Sequence, residues 1–257
     1  MKRTLLYSLL GISLIALVSW GPEGHSTTAA IADRHLTPTA KAAVAAILHN
    51  QSMASVSSWA DDIRPSQPQT GDWHFLNLEL GLSYSRFVQA TKSQATPNIY
   101  SEILLLEREL GQPSTPRPRK VRDLKFLVHF IGDAHQPMHV SRKKDRGGNL
   151  DTVKYDNRTT NLHKVWDSLL LNDDLTNYMQ LAAKVDHATP QQIQKWQSDD
   201  LLMWLYESYQ ASSEIYKEAP NHSVLPASYY STHIAIAENR LERGGIRLAG
   251  VLNKIFR

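Results

Sequence analysis

KVRDLKFLVHFIGDAHQPMH, residues 120–139, decides the fold of this chain. Read on a 3.6-residue repeat, it is apolar on most faces, which predicts a helix over 120–136 at the centre of a helical bundle. Pro137 cannot continue that helix and ends it. Working outward, Thr37-Pro38 has the form of an N-cap followed by proline at the first helical position, opening the alanine-rich TAKAAVAAILHN. NIYSEILLLEREL (98–110) is predicted to be a helix that stops at Gly111. Further helices are expected at 160–171, 175–185, 190–217 with a break, and 227–254. Loops are expected at 64–71, 111–118, 141–150 and 219–226. Only DTVKYD (151–156) alternates like a strand, with Asn157-Arg158 as the turn of a small hairpin. The fold class is therefore all-α: one compact multi-helix domain over 20–257, with a short β-hairpin.

Residues 1–19 read as a secretory signal. Lys2 and Arg3 precede an apolar run, LLYSLLGISLIALV (5–18), too short to span a bilayer comfortably, and Ser19 suits the position before a cut. Its removal leaves 26 of the 28 basic residues against 25 acidic ones, so overall charge argues neither for nor against a polyanionic partner. The chain has 11 histidines and no cysteine. An exported chain of that composition is no disulfide scaffold, and its metal ligands would be oxygen and nitrogen.

Chemistry concentrates in FLVHFIGDAHQPMH. His129 and Asp133 stand four apart, on one helical face and about 5 to 6 Å apart at Cβ, as two ligands of one metal would. Beyond Pro137, His139 can fold back to the same face. NLHKVWD repeats the pattern with His163 and Asp167. One such pair is usually an ordinary hydrogen bond; two, in buried helices with extra histidines nearby, point to metal. SSWADD and DWHFLN each set a further ligand candidate, Asp61 and His74, close to a tryptophan. The histidines at 35, 49, 187, 222 and 233 lack partners at metal spacing, and His135 points away from Asp133.

In order, WGxxGH from Trp20, WAD, WHF, HFIGDxHQPxH, GGN and NLHxxWD resemble the zinc-dependent single-strand-specific nucleases of fungi, plants and bacteria, and more distantly the zinc-dependent phospholipases C of the same fold. The resemblance implies three zinc ions. Asp61, His74, His129 and Asp133 would hold one, and His139, His163 and Asp167 a second. His25, an oxygen of Asp133 and the amine and carbonyl of Trp20 would hold the third. A free α-amine binds metal once deprotonated, whereas a peptide nitrogen does not, so signal cleavage would create a ligand. Gly21, Pro22 and Gly24 would let the chain turn so that Trp20 and His25 reach one ion.

The same resemblance implies in-line hydrolysis of phosphodiesters to 5′-phosphorylated products, with Asp61 orienting the attacking water. Phe75 would stack on a base, which favours single strands of DNA or RNA because a duplexed base cannot reach the ring. Asn77 and Asn149 would contact base or phosphate. The run RKKDR (142–146) is either a guide for the strand's backbone or a solvated loop. The expected product is a monomeric, secreted or periplasmic enzyme with no stable membrane association, acting on single-stranded nucleic acids and on nucleotides as a 3′-nucleotidase. The alternative is a phospholipase C, against which Asp167 stands where those enzymes typically have glutamate.

Overall fold

The computed structural model describes residues 20–172 and 177–257; the signal reading over 1–19 lies outside the described residues. The helices are α1 (Gly21–Arg34), α2 (Pro38–Ile47), α3 (Met53–Val56), α4 (Trp59–Ile63), α5 (Tyr84–Lys92), α6 (Ile99–Gly111) and α7 (Arg117–His135). They continue with α8 (Leu162–Lys164), α9 (Leu170–Asn172), α10 (Tyr178–Val185), α11 (Pro190–Ser198), α12 (Leu201–Glu218) and α13 (Tyr229–Ile255). The strands β1 (Leu76–Leu78), β2 (Val140–Arg142), β3 (Thr152–Tyr155) and β4 (Arg158–Asn161) are short. The fold is all-α, as the periodicity predicts.

Local chemistry sets the boundaries. Thr37 accepts a hydrogen bond from Ala40 N and caps α2. Asn98 and Ser101 form a reciprocal capping box on α6. The break expected within 190–217 falls at Asp199 and Asp200, where Asp200 accepts from Met203 N and starts α12 afresh. α7 is the central element, with Leu124, Phe126, Leu127, Phe130 and Ile131 all at 0% exposure.

Three expectations are corrected. The predicted glycine turn at Gly21–Gly24 is the first turn of α1. The sequence hides that helix because it is buried through small residues, Thr27, Thr28, Ala29 and Ala32, rather than through a large apolar stripe. The hairpin turns at Asp156-Asn157, one residue earlier than expected. Both residues take positive φ, 46° and 59°, which short Asp and Asn side chains tolerate, while Arg158 already pairs with Tyr155. Finally, the segment following His74 and the start of the 141–150 loop are not wholly irregular: β1 and β2 pair in parallel, Leu76 opposite Val140 and Leu78 opposite Arg142. Because the strands run the same way, the residues just ahead of each, His74 and Phe75 on one side and His139 on the other, become neighbours.

Candidate metal centre

His129 and Asp133 lie one turn apart on α7, both fully buried, with Nε2 and Oδ2 3.2 Å apart. His74, closing a 3₁₀ helix over Pro68–His74, brings Nδ1 to 3.0 Å from Asp133 Oδ2 and 3.1 Å from His129 Nε2. Asp61, on α4, sets Oδ1 3.6 Å from His74 Nδ1 and 3.7 Å from His129 Nε2. His74, His129 and Asp133 thus bring three donor atoms within 3.0 to 3.2 Å of one another, while Asp61 groups with His129 and His25. An ion just off the plane of that triangle would lie about 2.0 Å from each corner, the length of a zinc–nitrogen or zinc–oxygen bond.

A second group lies alongside. His139 Nε2 is 3.5 Å from Asp167 Oδ1, and His163 Nε2 is 3.4 Å from Asp167 Oδ2. His163 belongs to α8, and Asp167 to a wide π-turn over Val165–Leu169 that continues it. A third group forms around His25 of α1, whose Nε2 is 3.3 Å from Asp133 Oδ1 and whose ring stacks on His129 at 3.9 Å. Trp20, just ahead of α1, donates its indole N–H to Gly132 O at 2.8 Å, so the chain at Trp20 is pinned to the turn that carries Asp133.

Three ligand candidates have their tautomer fixed by main chain. His129 Nδ1–H donates to Ser57 O at 2.7 Å, His139 Nδ1–H to His74 O at 2.9 Å, and His163 Nδ1–H to Gly147 O at 2.7 Å. Each turns its Nε2 toward carboxylates, the usual arrangement behind a metal-binding imidazole. His139 Nε2 and Asp167 Oδ2 are buried without a hydrogen bond, a cost of about 1 to 3 kcal/mol each that a divalent cation would remove. The donor set and its spacing fit zinc.

Burial alone would lower the His129 and His139 pKa values. The carboxylates of Asp133 and Asp61 outweigh it at His129, and those of Asp133 and Asp167 at His139, holding each ring up at about 9. His74 goes the other way: burial pushes it down to about 4 against the pull of Asp133. Burial would raise Asp167, yet His163 and His139 hold it down at about 2. The pocket thus keeps its carboxylates ionised, and a bound cation would take the place of the protons that His129 and His139 hold without it.

Phe75, Asn77 and Asn149 share one groove of about 750 Å³, together with Arg64, Lys143 and Arg146. The Phe75 ring sits 6.2 Å from that of His139, beside the second group. Asn77 Oδ1 is buried without a hydrogen bond, and Asn149 Nδ2 donates to Arg146 O at 2.9 Å. Of the RKKDR run, Lys143 and Arg146 face the groove, whereas Arg142 and Asp145 turn inward against each other.

Two participants escaped the sequence reading. Arg64 Nη1 lies 3.1 Å from Asp61 Oδ1, and Gln136 Nε2 donates to Asp167 Oδ1 at 2.6 Å. Gln136 lies inside the HQP motif, the one signal that could have marked it; Arg64 sits three residues past Asp61 with nothing to distinguish it from a surface cation. His135 and His233 are hydrogen-bonded core residues: His135 Nδ1 donates to Ile131 O and His233 Nδ1 to Tyr229 O.

The description S1/P1 Nuclease belongs to a family whose model matches residues 20–257. Endonuclease 4 of Arabidopsis thaliana is 31% identical over 92% of this chain and 89% of its own length. Nuclease S1 of Aspergillus oryzae is 32% identical over 72% of this chain and 66% of its own length. For Nuclease P1 of Penicillium citrinum the identity is 31%, over 59% and 58% respectively. None of these matches supports the phospholipase C alternative. The match runs from Trp20 through the groups around Asp133 and Asp167 to the last helix, and the chain belongs to the S1/P1 nuclease family of phosphodiester hydrolases.

Proposed function

We propose that this chain is an exported zinc-dependent endonuclease, functional as residues 20–257 and as a monomer, that cuts single-stranded DNA and RNA to 5′-phosphorylated products and acts on 3′-nucleotides. The observation that carries the reading is the buried clustering of His74, Asp133 and Asp61 around His129, placed beside a groove that holds an aromatic ring. Those four residues would hold one zinc, His139, His163 and Asp167 a second, and His25, Asp133 and the amine and carbonyl of Trp20 a third. When bound, zinc acidifies water to a pKa of about 7 and neutralises charge on phosphoryl oxygens.

The chain's own residues do the rest. Asp61 is 18% exposed at its side chain, unlike fully buried Asp133, so it can accept a hydrogen bond from the attacking water and set its direction. Arg64 reaches both Asp61 and the groove, where its guanidinium offsets negative charge on the scissile phosphate. Phe75 stacks on an unpaired base, and Asn77 and Asn149 offer amides to base edge or phosphate. Lys143 and Arg146 bring positive charge to the strand's backbone. Among the described residues no helix is long and apolar enough to cross a membrane.

The test measures 5′-mononucleotide release from single-stranded DNA and RNA, from duplex DNA, and phosphate from 3′-nucleotides, with and without chelator, beside zinc analysis of the protein. Release from single strands at least tenfold faster than from duplex, abolished by chelator and restored by zinc, is expected. Chelator-resistant cleavage, or equal rates on duplex, would overturn the reading.

A further inference from the structure

The loop between β2 and β3 turns through three consecutive residues of positive φ, Arg146 at 56°, Gly147 at 63° and Gly148 at 81°. Such a path needs an outside hold, most of all at arginine. One buried carboxylate supplies it. Asp145 Oδ1 accepts from Gly148 N at 3.0 Å and from Tyr216 Oη, on α12, at 2.8 Å, while Oδ2 accepts from Arg142 Nε at 2.7 Å. Arg142 in turn reaches Asp151 Oδ2 at 2.6 Å and lies 3.9 Å over the Tyr216 ring. Asp145 is 4% exposed and Tyr216 8% exposed.

The loop held this way presents the Gly147 carbonyl to His163 Nδ1 at 2.7 Å, and its next residue, Gly148, accepts from His163 N at 3.3 Å. Met138 O would lie 2.3 Å from any Cβ at Gly147, so the carbonyl cannot be delivered by a different residue in the same path. We infer that Asp145, with Tyr216, is a positioning residue for the metal group of His139, His163 and Asp167, acting through the Gly147 carbonyl on the orientation and basicity of His163.

This rests on the zinc reading above. Its test is stepwise chelator removal of zinc, followed by metal analysis, from the wild-type protein, Asp145→Ala and Tyr216→Phe. In Asp145→Ala one zinc equivalent is expected to be released at about 10- to 100-fold lower chelator activity, the range that hydrogen-bond partners of metal ligands command. Tyr216→Phe keeps the ring under Arg142 and removes one hydrogen bond, so a shift of about fivefold is expected with no effect on folding. The other equivalents should match wild type, and Tyr216→Phe should melt within a few degrees of it. Parallel weakening of every zinc, or no shift in either variant, would overturn the inference. A wild-type protein with no zinc would overturn the reading beneath it instead.

Discussion

The His25 imidazole lies against Gly132, so close that a Cβ at that position would come within 2.7 Å of His25 Nδ1. α1 and α7 can therefore meet at Asp133 only over a glycine. In an ordinary helix Gly→Ala stabilises by about 0.5 to 1 kcal/mol. Gly132→Ala is expected to do the opposite here: His25 is displaced, one zinc is lost and turnover falls at least tenfold. Zinc analysis and initial rates check this; a variant with full metal content and rate would show that His25 is not a ligand.

On the proposed start at Trp20, a protein carrying one extra residue ahead of it keeps the indole hydrogen bond to Gly132 but replaces the α-amine by a peptide nitrogen. It is expected to hold one zinc fewer and to lose most of its turnover, as measured on preparations whose N-terminus is verified by sequencing.

Phe75→Ala removes the ring in the groove without touching a ligand candidate. Stacking is worth about 1 to 3 kcal/mol per base, so KM for single strands should rise about ten- to hundredfold while zinc content is unchanged. An unaltered KM would remove Phe75 from substrate binding.

Behind α7 lies a buried charge cluster that supports the site from below. Arg247, at 0% exposure, bonds Glu207 Oε2 at 2.7 Å, Asp199 Oδ2 at 2.8 Å and His135 Nε2 at 3.1 Å, and Arg240 bonds Glu207 and the His135 carbonyl. Burial would raise the Glu207 pKa, but Arg247 and Arg240 hold it well below the usual 4.5. A carboxyl whose pKa is lower folded than unfolded stabilises above its unfolded value, and that stabilisation fades as pH falls toward the folded value. Glu207→Gln should therefore cost about 3 kcal/mol at pH 7, by leaving buried arginine charge uncompensated. The gap to wild type should narrow as pH drops below about 4.5. Urea denaturation of both proteins at pH 7 and pH 3.5 checks the sign.

The elements legible in the sequence were those that advertise themselves locally. α6, α7 and α13 follow from long apolar repeats and caps, and His129, Asp133, His163 and Asp167 from four-residue spacing. α1 was hidden because close packing by threonine and alanine leaves no strong apolar period, and β1 and β2 because three-residue strands 64 positions apart find each other only in the folded molecule. For the same reason the neighbouring tryptophans could mark Asp61 and His74 as candidates but not show that both meet His129. Gln136, Arg64 and Asp145 act through partners that only tertiary structure brings together, whereas Phe75, Asn77 and Asn149 were reached by family likeness and converge in one groove.

The π-turn over Val165–Leu169 has a consequence for the helical phase of everything after it. A turn of that width spends one residue more than a regular turn of helix, so the residues beyond it are rotated by about 100° from where an unbroken helix would carry them. That offset lets one continuous stretch serve two directions: His163 and Asp167 face the cation groups, while Leu170 and Leu171 face the apolar interior that holds Trp20 and Trp166. Removing a single residue from the turn would straighten the stretch and set the two faces out of step, so that either the carboxylate or the leucines would point the wrong way.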